Sequence, residues 1–227
     1  MRGAVLKRAT DILLSLSGLV LLLPLLIVIA VLIKLQSPGP VFYRGLRVGR
    51  WRTTFRIFKF RTMVINAEAI GGSSTADNDP RLTRIGKVLR KYKLDELPQL
   101  LNVLQGEMSF VGPRPEVAQY VEMYTEAERL ILTVRPGITD WATLWNSDEG
   151  AVLAGSSDPD KTYLEVIRPV KIKLQLEYVK KQSFWTDVTI IFKTLLVIIF
   201  RSKPHAMAII GGKDDNTTGI QCGPLER

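Results

Sequence analysis

The sequence predicts a helix-rich α/β protein associated with a membrane. Three observations carry this. Ile12 to Ile33 is almost wholly apolar, two short stretches around Phe42 and Phe55 read as strands, and from Thr83 onward apolar residues recur at helical spacing within charged segments. At 227 residues the chain suits one domain with appendages. These are a membrane-embedded segment, 1–36, a body, 37–202, and a polar tail from 203 to 227 expected to be flexible.

A helix over Ile12–Ile33 would be about 33 Å long, enough to cross a bilayer core. No small-residue cleavage site precedes Lys34, so a cleaved signal peptide is disfavoured. A single span is the default expectation, but two features favour a re-entrant hairpin. Pro24 sits mid-segment, where it kinks or breaks a helix. Both flanks are also basic: Arg2, Lys7 and Arg8 precede the segment. Lys34, Arg44, Arg47, Arg50, Arg52, Arg56, Lys59 and Arg61 follow it, with no acid until Glu68. The positive-inside preference puts both flanks on one side, which a segment that enters, breaks at Pro24 and returns satisfies.

Ser37-Pro38-Gly39-Pro40 closes this segment as a turn. Val41–Tyr43 and Thr54–Phe60 follow as short strands around Gly49, and alternation puts Lys59 on the face of Phe55 and Ile57. Ile70–Asn78 is rich in Gly, Ser and Thr and reads as a loop. Thr83–Tyr92 reads as a basic amphipathic helix suited to an interface or a phosphate. In the next helix Leu97, Leu100, Leu101 and Leu104 form an apolar stripe, and Pro98 fits only a first turn. Asp95 then falls at or near the N-cap, and Gly106 stops the helix. Val117–Thr133 reads as a helix, with Glu116, Glu122, Glu126 and Glu128 as a solvated acidic face. Arg135-Pro136-Gly137 is a tight turn. Thr162–Lys181 is helical. Val188–Phe200, too short to span, suits an interfacial or core helix.

The net charge of +9 favours anionic partners, whether nucleic acid, anionic lipid or a phosphorylated substrate. One Cys (Cys222) and one His (His205), both near the C-terminus, argue against a disulfide framework, a Cys/His zinc site and Ser–His or Cys–His nucleophile pairs. Catalysis would then fall to carboxylates, Lys and Arg. Asp95 and Glu96 are the pair to weigh. Acids at a helix start are ordinarily a cap and a dipole complement. Here Arg81, Arg84, Lys87, Arg90, Lys91 and Lys93 lead into them and Gly112-Pro113-Arg114-Pro115 follows, a setting for phosphate and metal. Arg114, between two prolines, has little backbone freedom and a fork suited to phosphate, and Arg135 is a further candidate ligand.

Several long motifs then occur in order: Phe58-Lys59-Phe60-Arg61-Thr62-Met63, Asp79-Pro80-Arg81-Leu82-Thr83-Arg84-Ile85-Gly86, Leu94-Asp95-Glu96-Leu97-Pro98-Gln99-Leu100, Gly106 through Pro115, and Val134-Arg135-Pro136-Gly137-Ile138-Thr139. Together they resemble the bacterial sugar transferase family of monotopic phosphoglycosyl transferases, over roughly Lys7 to Phe200. Departures lie at Leu23, where Ser often precedes the membrane proline, at Gly45, and across Asp140–Glu149.

The resemblance implies a re-entrant membrane segment at the cytoplasmic face of the cell inner membrane, a UDP-sugar donor and a polyprenyl phosphate acceptor. It implies that Asp95 attacks the sugar-linked phosphate and expels UMP, that Glu96 binds Mg²⁺, and that Lys59, Arg90 and Arg114 serve the substrate phosphates. Spacing alone does not distinguish the nucleophile of the acid pair. Basic composition also admits a membrane-tethered module holding anionic lipid or nucleic acid without catalysis. Acids inside the basic field weaken such binding, so nucleic acid is not the expected partner. A diphosphate hydrolase is the other rival, and an apolar segment gives it nothing.

Overall fold

The computed structural model describes residues 2–70, 74–154 and 156–200, so the tail expected from Lys203 lies outside the described residues. Helix α1, Arg2–Gln36, opens the chain. It is followed by strands β1 (Phe42–Tyr43), β2 (Leu46–Val48), β3 (Thr54–Arg56) and β4 (Lys59–Phe60). The short helix α2 (Ala67–Ile70) leads to α3 (Arg84–Lys91), a 3₁₀ turn at Leu94–Glu96 and α4 (Gln99–Gln105). Next come β5 (Ser109–Val111), α5 (Ala118–Glu122), a 3₁₀ stretch at Glu128–Thr133 and β6 (Gly137–Thr139). Helices α6 (Trp141–Trp145), α7 (Glu149–Leu153) and α8 (Pro159–Thr162) precede a π-helical turn at Tyr163–Ile167, α9 (Arg168–Lys180) and α10 (Phe184–Phe200).

The expected small sheets are present as three two-stranded pairs among the described residues. β2 and β3 form an antiparallel hairpin with Arg47 opposite Phe55. β1 and β4 pair antiparallel with Tyr43 opposite Lys59. β5 and β6 run parallel, Ser109 opposite Gly137 and Val111 opposite Thr139.

α1 is one helix rather than two arms separated at Pro24. A proline ring within a helix removes one backbone donor, and the flanking turns hold the helix together across it. Among the described residues α1 is the one helix long and apolar enough to cross a membrane, with a mean hydropathy of 3.1 over an 18-residue window. Much of its surface is bare: Val20, Leu21 and Leu35 are 66%, 78% and 79% exposed. Yet both ends are fastened to the same body. Near the start, Lys7 Nζ pairs with Asp187 at 2.6 Å and donates to the Val111 carbonyl. Arg8 donates to the Val103 and Leu104 carbonyls at the end of α4, and buried Asp11 accepts from Ser109 Oγ and the Phe110 N–H. Toward its other end Ile29 and Ile33 pack on Phe60 and Leu89, and Gln36 accepts from the Ile85 N–H.

Two expected helices differ. Val117–Thr133 is broken into α5 and a 3₁₀ stretch. Its acids are not one solvated face: the largely covered Glu116 pairs with Lys171 at 2.5 Å, and Glu128 pairs with Arg168. Their partners lie on α9, some 40 or more residues on, so local sequence gives no sign of them. In α4 the buried residues are Gln99, Leu100, Asn102 and Val103, and Leu97, Leu101 and Leu104 are only half-buried. The β2–β4 segment covers the deep face: Val103 clusters with Phe55 and Ile57, and Asn102 bonds to the backbone of Arg56 and Phe58.

Candidate active site

Three separate elements converge on the acid pair. The first is the turn that carries it. Lys93 takes a left-handed backbone (φ 56°), and Leu94–Glu96 wind as 3₁₀ before Leu97 and Pro98 lead into α4. Asp95 is therefore inside the 3₁₀ turn, not at the N-cap of α4, and Pro98 occupies that position. The reversal at Lys93 starts a separate turn upstream, which the leucine spacing could not reveal. Gly106 ends α4 in the left-handed region (φ 86°), as expected.

The second element is β4, whose Lys59 Nζ donates to Glu96 Oε1 at 2.8 Å. The third is the Gly112–Pro115 loop after β5, pinned to β6 by Gly112 N–H to the Thr139 carbonyl and Gly137 N–H to the Pro113 carbonyl. Its Arg114 donates from Nη1 to Glu96 Oε2 at 3.1 Å and from Nη2 to Oε1. Glu96 is thus gripped by two cations. Beneath the loop, Glu116 accepts from Tyr163 and pairs with Lys171.

Asp95 is treated differently. It is 6% exposed, and its Oδ1 is buried with no hydrogen-bond partner. Burial raises its proton affinity above that of an ordinary aspartate, the Lys59 charge works against this, and the Glu96 charge adds to it. Burial acts in the same sense on Glu96, but Arg114 and Lys59 outweigh it and hold that carboxyl well below its usual range. Burial lowers the proton affinity of Lys59, with Glu96 opposing. The two neighbouring acids are therefore pushed apart: Glu96 is a fixed anion and Asp95 a desolvated, more basic one.

Of the residues singled out from sequence, Lys59, Asp95, Glu96 and Arg114 come together. Arg90 lies close enough for its charge to act on Asp95, with Nη2 3.4 Å from the Thr75 carbonyl. Arg135 lies elsewhere, its Nε donating to the Gly106 carbonyl at the far end of α4. Arg81 pairs with Asp79 at 2.7 Å rather than with the acid pair. Three residues given no role from sequence matter here. Asp11 ties α1 to β5; Asn102 ties α4 to the Arg56–Phe58 backbone; and Gln99 is buried one turn after Asp95. Asn102 and Gln99, amides in a leucine-rich helix, were the visible signal.

Among the described residues no three His, Cys, Asp or Glu side chains cluster as a metal cage. The donor set does fit a cation that brings its own oxygen ligands. Glu96 Oε2 has one hydrogen bond, which leaves a lone pair for it.

A family model described as bacterial sugar transferase matches residues 2–201. The chain belongs to that family. Among the relatives of this bacterial sugar transferase, the UDP-N-acetylgalactosamine-undecaprenyl-phosphate N-acetylgalactosaminephosphotransferase of Aeromonas hydrophila is 42% identical over 86% of the chain and 44% of its own length. The UDP-glucose:undecaprenyl-phosphate glucose-1-phosphate transferase of Escherichia coli K12 is 40% identical over 84% of the chain and 39% of its own length. The exopolysaccharide production protein ExoY of Rhizobium meliloti is 37% identical over 85% of both. The chain thus spans less than half of the first two relatives and most of the third.

Proposed function

We propose that this transferase moves a sugar-1-phosphate from a UDP-sugar to polyprenyl phosphate, undecaprenyl phosphate by likeness to its relatives' names, and releases UMP. The step would be an early one in building an exopolysaccharide or related glycan. The observation that carries the reading is Asp95: a buried carboxylate with an unbonded oxygen beside Glu96, whose own charge is locked between Lys59 and Arg114.

In the first half-reaction an Asp95 oxygen attacks the sugar-linked phosphorus. The bond from that phosphorus to the bridging oxygen breaks, and its electron pair leaves with UMP. An aspartyl phosphosugar results. In the second, an oxygen of polyprenyl phosphate attacks the same phosphorus and frees the carboxylate. The sugar–oxygen bond is untouched throughout. Arg114 and Lys59 supply fixed positive charge where the diphosphate collects negative charge, and Arg90 adds to it. Arg135 would reach phosphate only by leaving the Gly106 carbonyl. Glu96 would hold Mg²⁺ together with substrate oxygens, and the ion when bound neutralises the diphosphate and the departing UMP.

The lipid acceptor requires a membrane-embedded enzyme. In this reading α1 bends at Pro24 when in the membrane, entering and returning through the cytoplasmic leaflet of the inner membrane, with both ends on the side of the body. Supporting this are its bare apolar middle and the attachment of both ends to one body. The exposed Trp185, Phe192 and Ile198 of α10 suit the same lipid interface.

The test is the intact mass of the protein after incubation with Mg²⁺ and a panel of UDP-sugars, without lipid. The expected result is an adduct of one phosphosugar, absent from Asp95→Asn and discharged by polyprenyl phosphate. Neither adduct nor UMP with any donor, with acceptor present, would return weight to a non-catalytic binding module.

A further inference from the structure

Two buried amides on α4 have opposite fates. Asn102 is 0% exposed and fully engaged: its Oδ1 accepts from the Phe58 N–H at 2.8 Å, and its Nδ2 donates to the Arg56 carbonyl and to Glu107. Gln99 is 1% exposed, and neither its Nε2 nor its Oε1 has a partner. A buried amide without partners is a cost to stability, and native proteins rarely keep one idle. The β2–β4 backbone satisfies Asn102 one turn further along the same helix, so the neglect of Gln99 is not a failure of this interface to supply partners.

Asp95 Oδ1 is the nearest orphan in sequence, and it too is buried. Residues 95 and 99 stand four apart, and the intervening Leu97 and Pro98 have helical dihedrals. Across this tight winding Gln99 follows Asp95 by little more than one turn, and helical side chains lean toward the N-terminus, so Gln99 leans over the turn that carries Asp95. We infer that Gln99 is a positioning residue for Asp95: on donor binding its Nε2 donates to Asp95 Oδ1, which fixes the carboxylate so that Oδ2 faces the phosphorus. The free protein leaves the bond unmade, and closure of the site around the donor makes it. The amide is thus kept at a cost in stability for the geometry of attack. The inference rests on Asp95 being the nucleophile.

The experiment uses full-length Gln99→Leu and Gln99→Met, the second keeping the length of the side chain without its hydrogen bonds. Tm is measured alongside single-turnover adduct formation, with a UDP-sugar that loads the wild type, across donor concentrations. The expected result is an unchanged or higher Tm, because an unsatisfied amide has been removed. Loading at saturating donor should fall about 10–100-fold, the scale of a misplaced reacting group, with half-saturation within about twofold of wild type. Loading at the wild-type rate in either variant overturns the inference. So does a weakened half-saturation with an unchanged maximal rate, which would mean direct donor binding, or a Tm that falls in step with activity, which would mean a structural amide. Wild-type protein that loads with no donor while still turning over with acceptor overturns the covalent reading itself, and this inference with it.

Discussion

Arg114 holds Glu96 through both terminal guanidinium nitrogens, one on each carboxylate oxygen, and Lys59 completes the grip from β4. A bidentate fork fixes orientation as well as charge, which a lysine ammonium cannot do. Arg114→Lys should therefore fold but lose about 10–100-fold in turnover. In a double-mutant cycle, Arg114→Met and Glu96→Gln together should lose less than the sum of the two single losses, because the residues act as a unit. Steady-state UMP release measures both. Additive losses would mean that the two residues serve separate ends.

Asp95→Asn keeps the shape and removes the charge. Turnover should fall by roughly 10³-fold or more, as for loss of an attacking group. Tm should hold or rise, because the folded protein no longer buries an anion whose Oδ1 has no partner. A loss of activity that tracked a lower Tm would instead mark Asp95 as structural.

The acid pair also sets a pH dependence. Burial raises the Asp95 pKa, so the acidic limb of kcat/KM should lie above the ordinary aspartate value of about 3.9. The Lys59 charge lowers that pKa, so Lys59→Met should move the limb to still higher pH. For stability the two acids have opposite signs. Glu96, depressed, contributes stability above its unfolded value near about 4.3, lost as pH falls through its folded value. Asp95, raised, carries a penalty that builds as pH rises from its unfolded to its folded value. Glu96→Gln should flatten the acid side of a Tm–pH profile, and Asp95→Asn should raise its neutral side.

The sequence made much of this legible because the motif around Asp95 is contiguous. The apolar N-terminal helix, the strands at Phe42–Tyr43 and Thr54–Arg56, α3 and the Gly106 stop all follow from local pattern, whereas the hairpin strand Leu46–Val48 was not expected. What failed was non-local. The left-handed turn at Lys93 carries no glycine to announce it. Glu116 looked solvated because Lys171 lies 55 residues away. Lys7 and Arg8 read as a topological charge signal, yet they also fasten α1 to Asp187 and to the end of α4. Gln99 sits in the motif itself, but only burial without a partner separates it from an ordinary helix residue.

The loop bearing Arg114 depends on close approach of two backbones. A Cβ on Gly112 would stand 2.4 Å from the Arg135 carbonyl oxygen, and one on Gly137 would stand 2.1 Å from the Gly112 nitrogen. Neither neighbour is a flexible side-chain end, so β5 and β6 must separate. Gly137→Ala should cost on the order of 3 kcal/mol and lower Tm by roughly 6–12 °C. The protein that remains folded should show weakened turnover through a displaced Arg114. An unchanged Tm would show that the strands part without penalty.

The course of α1 gives the last prediction. Its 35 residues would measure about 52 Å if straight, against a hydrocarbon core of about 30 Å. Length alone would permit a tilted span. The attachments oppose it: Lys7, Arg8 and Asp11 bind the ends of α4, β5 and α10, and Ile29, Ile33 and Gln36 bind β4 and α3. A span would place one of these sets across the bilayer from the other and would draw the polar acid pair into lipid. In a Cys222→Ser background, Gly3→Cys and Pro40→Cys should therefore react with a membrane-impermeant thiol reagent in inside-out vesicles and stay unlabelled in sealed cells. Labelling of the two positions from opposite sides would make α1 a span, and the body would then have to release one end of it.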